Sequence, residues 1–257
     1  MTFNIKSPRS LFKLLNFGER VLAHAQGKGY GTGSIRQEVK LVHQLLRNPP
    51  RLAIDIGANV GEYTAELRNR NPGLEIHMFE PSTTNIEKLK ERFAEDNKIV
   101  LIPYAVSGEN GSATLFSNEP GSGMSSLSKR KLDHFDIKFD FKETINKMRF
   151  EEYWKNILQE RVMDIVKLDI EGHEFDAING FGKAIHSANV LQFEFGGCNI
   201  DTKTYFQDFW YFFKDNGFNL YRITPLGLEH IERYRESDEF FITTNYIAFN
   251  CQLPQNI

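Results

Sequence analysis

From residue 51 onward, short apolar runs alternate with stretches whose apolar residues recur at helical spacing. Leu52–Ile56 is almost wholly apolar and bounded by polar residues and glycine, which predicts a strand buried on both faces. Glu62–Arg70 follows as a helix stopped by Pro72-Gly73, and Glu75–Phe79 is the next strand. Thr84 and Glu87 have capping-box spacing at the head of a helix running to about Glu95. Ile99–Val106 reads as a third strand, and Gly108–Gly111 turns the chain into another at Ala113–Phe116. Asp164–Ile170 and Val190–Phe195 are two further apolar runs, separated by a helix that Gly180 ends. Strands alternating with helices imply an α/β fold, a Rossmann-like and mainly parallel sheet with helices on both faces. The later runs Asn219–Thr224, Leu228–Ile231 and Tyr246–Asn250 read as antiparallel edge strands.

Two segments depart from this rhythm. Residues 1–50 read as an N-terminal helical extension to a domain spanning 51–257. Its second helix, Ser34–Arg47, is capped by Ser34 and stopped by Asn48-Pro49-Pro50. The first, Ser10–Ala25, places Leu11, Leu14, Leu15 and Leu22 beside Lys13 and Arg20. Its simplest reading is a helix packed on the domain, with binding to a membrane surface as the alternative. Residues 117–160 form an insertion whose glycine- and serine-rich start, Gly121–Ser126, suits either a lid or substrate wall or a packed excursion without function.

Composition narrows the class. Hydrophobic residues make up 40% of the 257 and charged residues 25%, ordinary values for a globular core. The 22 Phe cluster at 135–150 and 206–218, so both stretches are expected to pack, the second as a helix against the sheet or as a dimer face. A net charge of −3 without a long basic run argues against nucleic acid as a partner, leaving Lys129-Arg130-Lys131 as a solvated basic face. Two cysteines, Cys198 and Cys251, without metal or redox spacing fit reduced, structural thiols. The absence of a secretory h-region and of any ~20-residue apolar span completes the expectation of a cytoplasmic chain.

The chemistry concentrates at predicted strand ends. Asp55-Ile-Gly57-Ala58-Asn59-Val-Gly61 follows a strand and opens a helix, so its glycines permit a sharp turn and close approach of a ligand. Glu80 ends the next strand 19 positions after Gly61, where a carboxylate accepts the hydroxyls of an adenosine ribose. The loop is G-x-N-x-G rather than the dinucleotide G-x-G-x-x-G, and the Asp55 charge opposes a pyrophosphate but suits an ammonium and a sulfonium. The pattern therefore favours S-adenosylmethionine over NAD. Further on, Lys167-Leu-Asp169-Ile-Glu171-Gly172-His173-Glu174 places ionisable groups at a strand's carboxyl end. Methyl transfer to a hydroxyl needs a group to accept its proton. Asp169, Glu171 and His173 are the candidates, with Asp169 and Glu171 favoured, whereas Glu174 and, as the alternative for it, His173 read as the start of a solvated helix. Glu194, flanked by apolar neighbours at the next strand end, needs a partner such as Lys167 or a place in the substrate pocket. With Asp169 it offers oxygen ligands to a divalent cation such as Mg²⁺, a minority reading without histidine support.

At these motifs the sequence resembles the FkbM family of S-adenosylmethionine-dependent methyltransferases. The resemblance is carried by Ile54-Asp-Ile-Gly-Ala-Asn-Val-Gly61, Phe79-Glu80-Pro81, Ala105-Val106-Ser-Gly108, Ser125-Ser-Leu127, Val166–Glu174 and Phe193-Glu194. It implies a Rossmann-like methyltransferase fold and O-methylation of a hydroxyl on a sugar, glycolipid or secondary metabolite. By position it implies that Asp55, Gly57, Ala58, Asn59 and Gly61 line the methionine end of the cofactor, and that Glu80 and Pro81 lie at the ribose. Ala105 and Val106 would sit near the adenine, and Asp169 and Glu171 would face the reaction centre, with Glu194 counted beside them as a catalytic residue. The family's T-[LV]-D-[DE] stretch has no close counterpart, Arg149–Trp154 standing in its place. An N-methyltransferase and a cofactor-binding module without turnover are the other classes compatible with the motifs. A small-molecule or glycan acceptor is the expected partner.

Overall fold

A computed structural model describes residues 8–30 and 35–253. Ser34, the expected helix cap, lies outside the described residues. Helix α1 spans Pro8–Ala25 and α2 Ile35–Leu45. Strand β1 (Leu52–Ile56), helix α3 (Glu62–Arg70), β2 (Glu75–Phe79), α4 (Thr83–Arg92) and β3 (Ile99–Ile102) then alternate as the pattern predicts. Two short strands follow, β4 (Ala105–Val106) and β5 (Gly111–Ser117), then β6 (Phe141–Met148) and α5 (Phe150–Asn156). The chain returns to the sheet through β7 (Met163–Leu168), α6 (Glu174–Phe181), β8 (Ala188–Phe195), α7 (Cys198–Thr202) and α8 (Phe206–Asp215). It ends with β9 (Phe218–Thr224), β10 (Gly227–His230) and β11 (Thr244–Asn250).

The main sheet has the order β10-β9-β11-β8-β7-β1-β2-β3. β3, β2, β1, β7 and β8 are parallel, while β11, β9 and β10 add antiparallel neighbours. Its two faces bury separate cores, because side chains alternate across a strand. Leu52, Ile54 and Ile56 of β1 join one core, with Phe193, Phe209 and Phe213, and Ala53 joins the other, with Val39, Tyr63 and Leu89. The aromatic run at 206–213 is a helix buried on the first face, where the Phe193 and Phe209 rings stack at 4.7 Å.

Several expectations need correction. The run Ile99–Val106 breaks at Pro103, which has no N–H for a ladder. Its first half stays in the main sheet and Ala105–Val106 crosses to a second sheet of order β4-β6-β5. The Thr84–Glu87 capping box is absent. Ser82 is the N-cap of α4, and Glu143 of β6 accepts both the backbone N–H and the hydroxyl of Thr83, at 2.8 and 2.7 Å. A carboxylate there complements the positive end of the helix. In the 135–150 stretch Phe139 and Phe150 are buried, but Phe135 is exposed. Helix α1 has no buried residue, so it does not pack on the domain as expected.

One row of polar side chains crosses the second face. Asp55, Lys167 and Gln192 are register partners on β1, β7 and β8. Thr64 of α3 donates to Asp55 Oδ2 at 2.7 Å, and the Lys167 ammonium lies 4.7 Å from the Tyr63 ring centroid. Gln192 accepts from the Tyr63 hydroxyl at 3.0 Å and donates to Glu38 of α2 at 2.7 Å. Burial raises the pKa values of Asp55 and Glu38, and Lys167 partly offsets that in both. An acid with a raised folded-state pKa stabilises the fold fully below its unfolded value and loses that contribution as pH rises through the raised one. Lys167→Met removes the compensating charge and raises both further. It should cost about 3–5 kcal/mol near neutrality, read from urea denaturation midpoints, and measurably less near pH 5 than near pH 8. An equal cost at both pH values would show that the row is not electrostatically coupled.

Candidate active site

The loop after β1 is tied to both neighbouring strands. The N–H groups of Gly57 and Ala58 donate to Phe79 O at 2.9 and 3.1 Å, and Asp169 N–H donates to Ile56 O at 3.0 Å. Gly57 has φ +84°, and a Cβ on it would collide with the Asp169 carbonyl. Only glycine therefore lets the β1 and β7 ends approach this closely. Asn59 adopts φ +49° and directs its N–H to Glu80 Oε2 at 2.8 Å.

These strand ends open into a cleft at the carboxyl edge of the parallel strands. Gly57, Asn59, Glu80, Pro81, Ala105 and Val106 line one part of it, and Asp169, Glu171 and His173 line another. Glu80 Oε1 accepts Ser82 N–H at 2.9 Å. Burial outweighs these backbone donors and pushes the Glu80 pKa up to about 7. A desolvated carboxylate in a glycine-lined cleft is suited to a vicinal diol, whose two hydroxyls donate to it. The residues present thus fit the ribose of an adenosyl cofactor.

The acids at the other side differ in their surroundings. Asp169 Oδ2 receives Lys167 Nζ at 2.8 Å. Burial alone would lower the Lys167 pKa, but Asp169, Asp55 and Glu38 together raise it. Glu171 stands in the left-handed region, φ +55°, which turns the chain sharply before Gly172. Its Oε2 accepts Arg130 at 2.9 Å and the Cys198 thiol at 2.8 Å. Burial, then the Asp169 charge, raises its pKa against these donors. Glu194 does not line the cleft. Burial and then the charges of Asp169, Glu171 and Glu174 hold its carboxyl far above the usual range. Lys167, expected as its partner, pairs with Asp169 instead.

Three other expected site residues lie outside the cleft lining. Asp55 is fully buried behind the loop, anchoring Thr64, and Ala58 and Gly61 shape the turn. Glu174 is not solvated. Its Oε1 accepts the N–H groups of Ile170 and Gly172 at 2.9 and 3.2 Å, closing the turn that carries Glu171, and burial lifts its pKa to about 8. His173 lines the cleft and meets Ser128 Oγ at 3.0 Å. The insertion is a cleft wall. Ser122–Leu127 contribute to the lining, Ser126 Oγ donates to Glu171 O at 2.8 Å, and Arg130 bridges Glu171 and Asp201. Arg130 is thus no solvated basic residue. The glycine-serine run, the Ser125-Ser-Leu127 motif and the basic triplet were the insertion's signals in the sequence, whereas Asn85 and Tyr104, which also line the cleft, were marked by none. Among the described residues, no group of three or more His, Cys, Asp or Glu side chains is arranged to hold a metal ion. Both cysteines are free.

Comparison with known proteins agrees with this geometry. The chain is 23% identical over 191 residues to the 2-O-methyltransferase NoeI of Sinorhizobium fredii (strain NBRC 101917 / NGR234), covering 71% of this chain and 78% of that one. The crystal structure of methyltransferase FkbM from Methylobacillus flagellatus KT superposes with a TM-score of 0.50 at 18% identity. That match covers 79% of this chain and 45% of the solved one, and at such identity it speaks for the fold. The methyltransferase FkbM domain model matches residues 55–220, well over half of the chain. The chain belongs to the FkbM methyltransferase domain family.

Proposed function

We propose that this protein is an S-adenosylmethionine-dependent O-methyltransferase acting on a hydroxyl of a sugar or glycosylated small molecule. The observation that carries the reading is the pairing, across one cleft, of a desolvated Glu80 on the glycine-loop side with Asp169 and Glu171 on the other. The name of the NoeI relative, a 2-O-methyltransferase, supports oxygen as the acceptor atom. When bound, the cofactor supplies an electrophilic methyl group on a sulfonium. Glu80 accepts the ribose hydroxyls, and the Gly57–Asn59 backbone lets the ligand approach closely. Glu171 takes the proton from the acceptor hydroxyl. Its raised pKa makes its ionised form a stronger base than an ordinary surface carboxylate. Arg130 and Cys198 hold the orientation of that carboxylate, and Asp169, fixed by Lys167, orients the hydroxyl. The Ser122–Leu127 wall shields the reacting atoms from bulk water.

Two measurements test this. Diol hydroxyls bind the ionised form of Glu80, so the S-adenosylhomocysteine Kd from titration calorimetry should fall as pH rises from about 6 to 8 through the Glu80 pKa. Glu80→Gln should weaken binding roughly 10- to 100-fold at pH 8 and flatten the pH dependence, with NADH giving no heat. Absence of S-adenosylhomocysteine binding, or a preference for NADH, would overturn the cofactor assignment. Glu171→Gln should lower kcat by about 10²–10⁴ on a methylatable glycan acceptor, and Asp169→Asn should also slow turnover, with S-adenosylhomocysteine affinity unchanged in both. Full turnover in both variants would leave the cleft without its assigned base.

A further inference from the structure

Helix α1 is the amphipathic element the domain leaves uncovered. At about 100° per residue, Leu11, Leu14, Leu15, Val21 and Leu22 fall on one side, with Arg9, Lys13 and Arg20 opposite them. Phe12 and Phe17 stand towards the borders between the two sides. Leu15, Phe12 and Leu22 are 56–64% exposed, and no residue of the helix is buried. α8 is also amphipathic, but Phe206, Phe209 and Phe213 are covered by the sheet. In a chain of net charge −3, α1 carries three basic residues against a single acid, Glu19.

The attachment of α1 sets where that face can act. Gly29 N–H, just past the helix, donates to Thr244 Oγ1 at 3.2 Å, and Gly27 packs against Ile223 and Thr224. Thr244 begins β11 opposite Phe195, the last residue of β8, and Thr224 ends β9 at the same edge. This is the edge at which β1, β2 and β7 end and the cleft opens.

We propose that α1 is an interfacial anchor that lies on an anionic lipid bilayer, its leucine face in the acyl boundary and its basic side towards the headgroups. A large apolar face with a basic opposite face is the composition of helices that rest in the membrane plane. At 18 residues it is about 27 Å long, and no helix among the described residues is long and apolar enough to cross a membrane. The anchored protein meets the surface from the cleft edge of its sheet. This assignment does not rest on the methyltransferase reading, because α1 precedes the family match at residues 55–220 and its readout needs no cofactor.

The test is flotation of the full chain with vesicles of phosphatidylcholine alone or mixed with phosphatidylglycerol, at low and raised salt, alongside light scattering for mass in solution. The full chain should float with the anionic vesicles and much less with the neutral ones, and raised salt should release it. Leu15→Asp/Leu22→Asp should abolish flotation, and Arg9→Glu/Lys13→Glu/Arg20→Glu should weaken it about 100-fold. Both variants should keep the wild-type thermal unfolding midpoint, because α1 has no buried residue. Failure of the full chain to float with anionic vesicles at low salt overturns the proposal. So does a wild-type dimer that Leu15→Asp/Leu22→Asp converts to a monomer without any vesicle binding in either form, since the occupant is then a second copy.

Discussion

The buried ammonium of Lys167 is the interaction on which the rest of the molecule depends. It stands in the middle of the parallel sheet, bonded to Asp169 and close to Asp55, with Glu38 beyond Gln192. Each of those carboxyl groups would be costly in an apolar interior without it. The cation therefore links helix α2, helix α3 and the cleft in one balanced group. Glu38 arrives from the N-terminal helices, Asp55 from the strand that starts the ligand loop, and Asp169 from the strand end facing the cleft. The N-terminal helix α2 is consequently part of the sheet's support, reinforced by Gln37 donating to Thr224 O at 3.2 Å.

Above this group the cleft is built by contacts between distant segments. The glycine-loop side follows from backbone geometry, with Gly57 and Asn59 at positive φ and Glu80 gathering amide N–H groups. The opposite side follows from Glu174, which closes the turn of Glu171, and from the insertion, which presses Ser126, Ser128 and Arg130 onto that turn. One half depends on glycine and the other on buried acids. They touch where Gly57 leaves no room for a Cβ beside Asp169.

The strands of the main sheet were legible because parallel strands buried on two faces read as apolar runs, as Leu52–Ile56 and Val190–Phe195 do. The ligand loop and Glu80 were legible from spacing alone. The second sheet was not, because β6 is mostly polar: only Ile145 of its eight residues is buried, and its strand character comes from pairing with β5. Long-range pairs were equally hidden. Arg130 meets Glu171 across 41 positions, and Glu143 caps Thr83 across 60. A carboxylate's burial cannot be read from its neighbours either, so Glu174 passed for a solvated residue and Asp55 for a cleft residue. The apolar face of α1 was visible in the leucine spacing, yet that spacing does not say whether anything covers it.

The insertion's hold on residues 171–173 has a consequence for how such an enzyme diversifies. The segment that walls the cleft also carries the guanidinium that fixes the Glu171 carboxylate and the hydroxyl that meets His173. A change of loop length or sequence between Gly121 and Arg130 would re-aim the Glu171 carboxylate while it reshapes the wall. On the proposed reading, preference for an acceptor and speed of turnover are therefore inherited together. The Gly57–Gly61 loop, bonded to β2 rather than to the insertion, can stay constant through such changes.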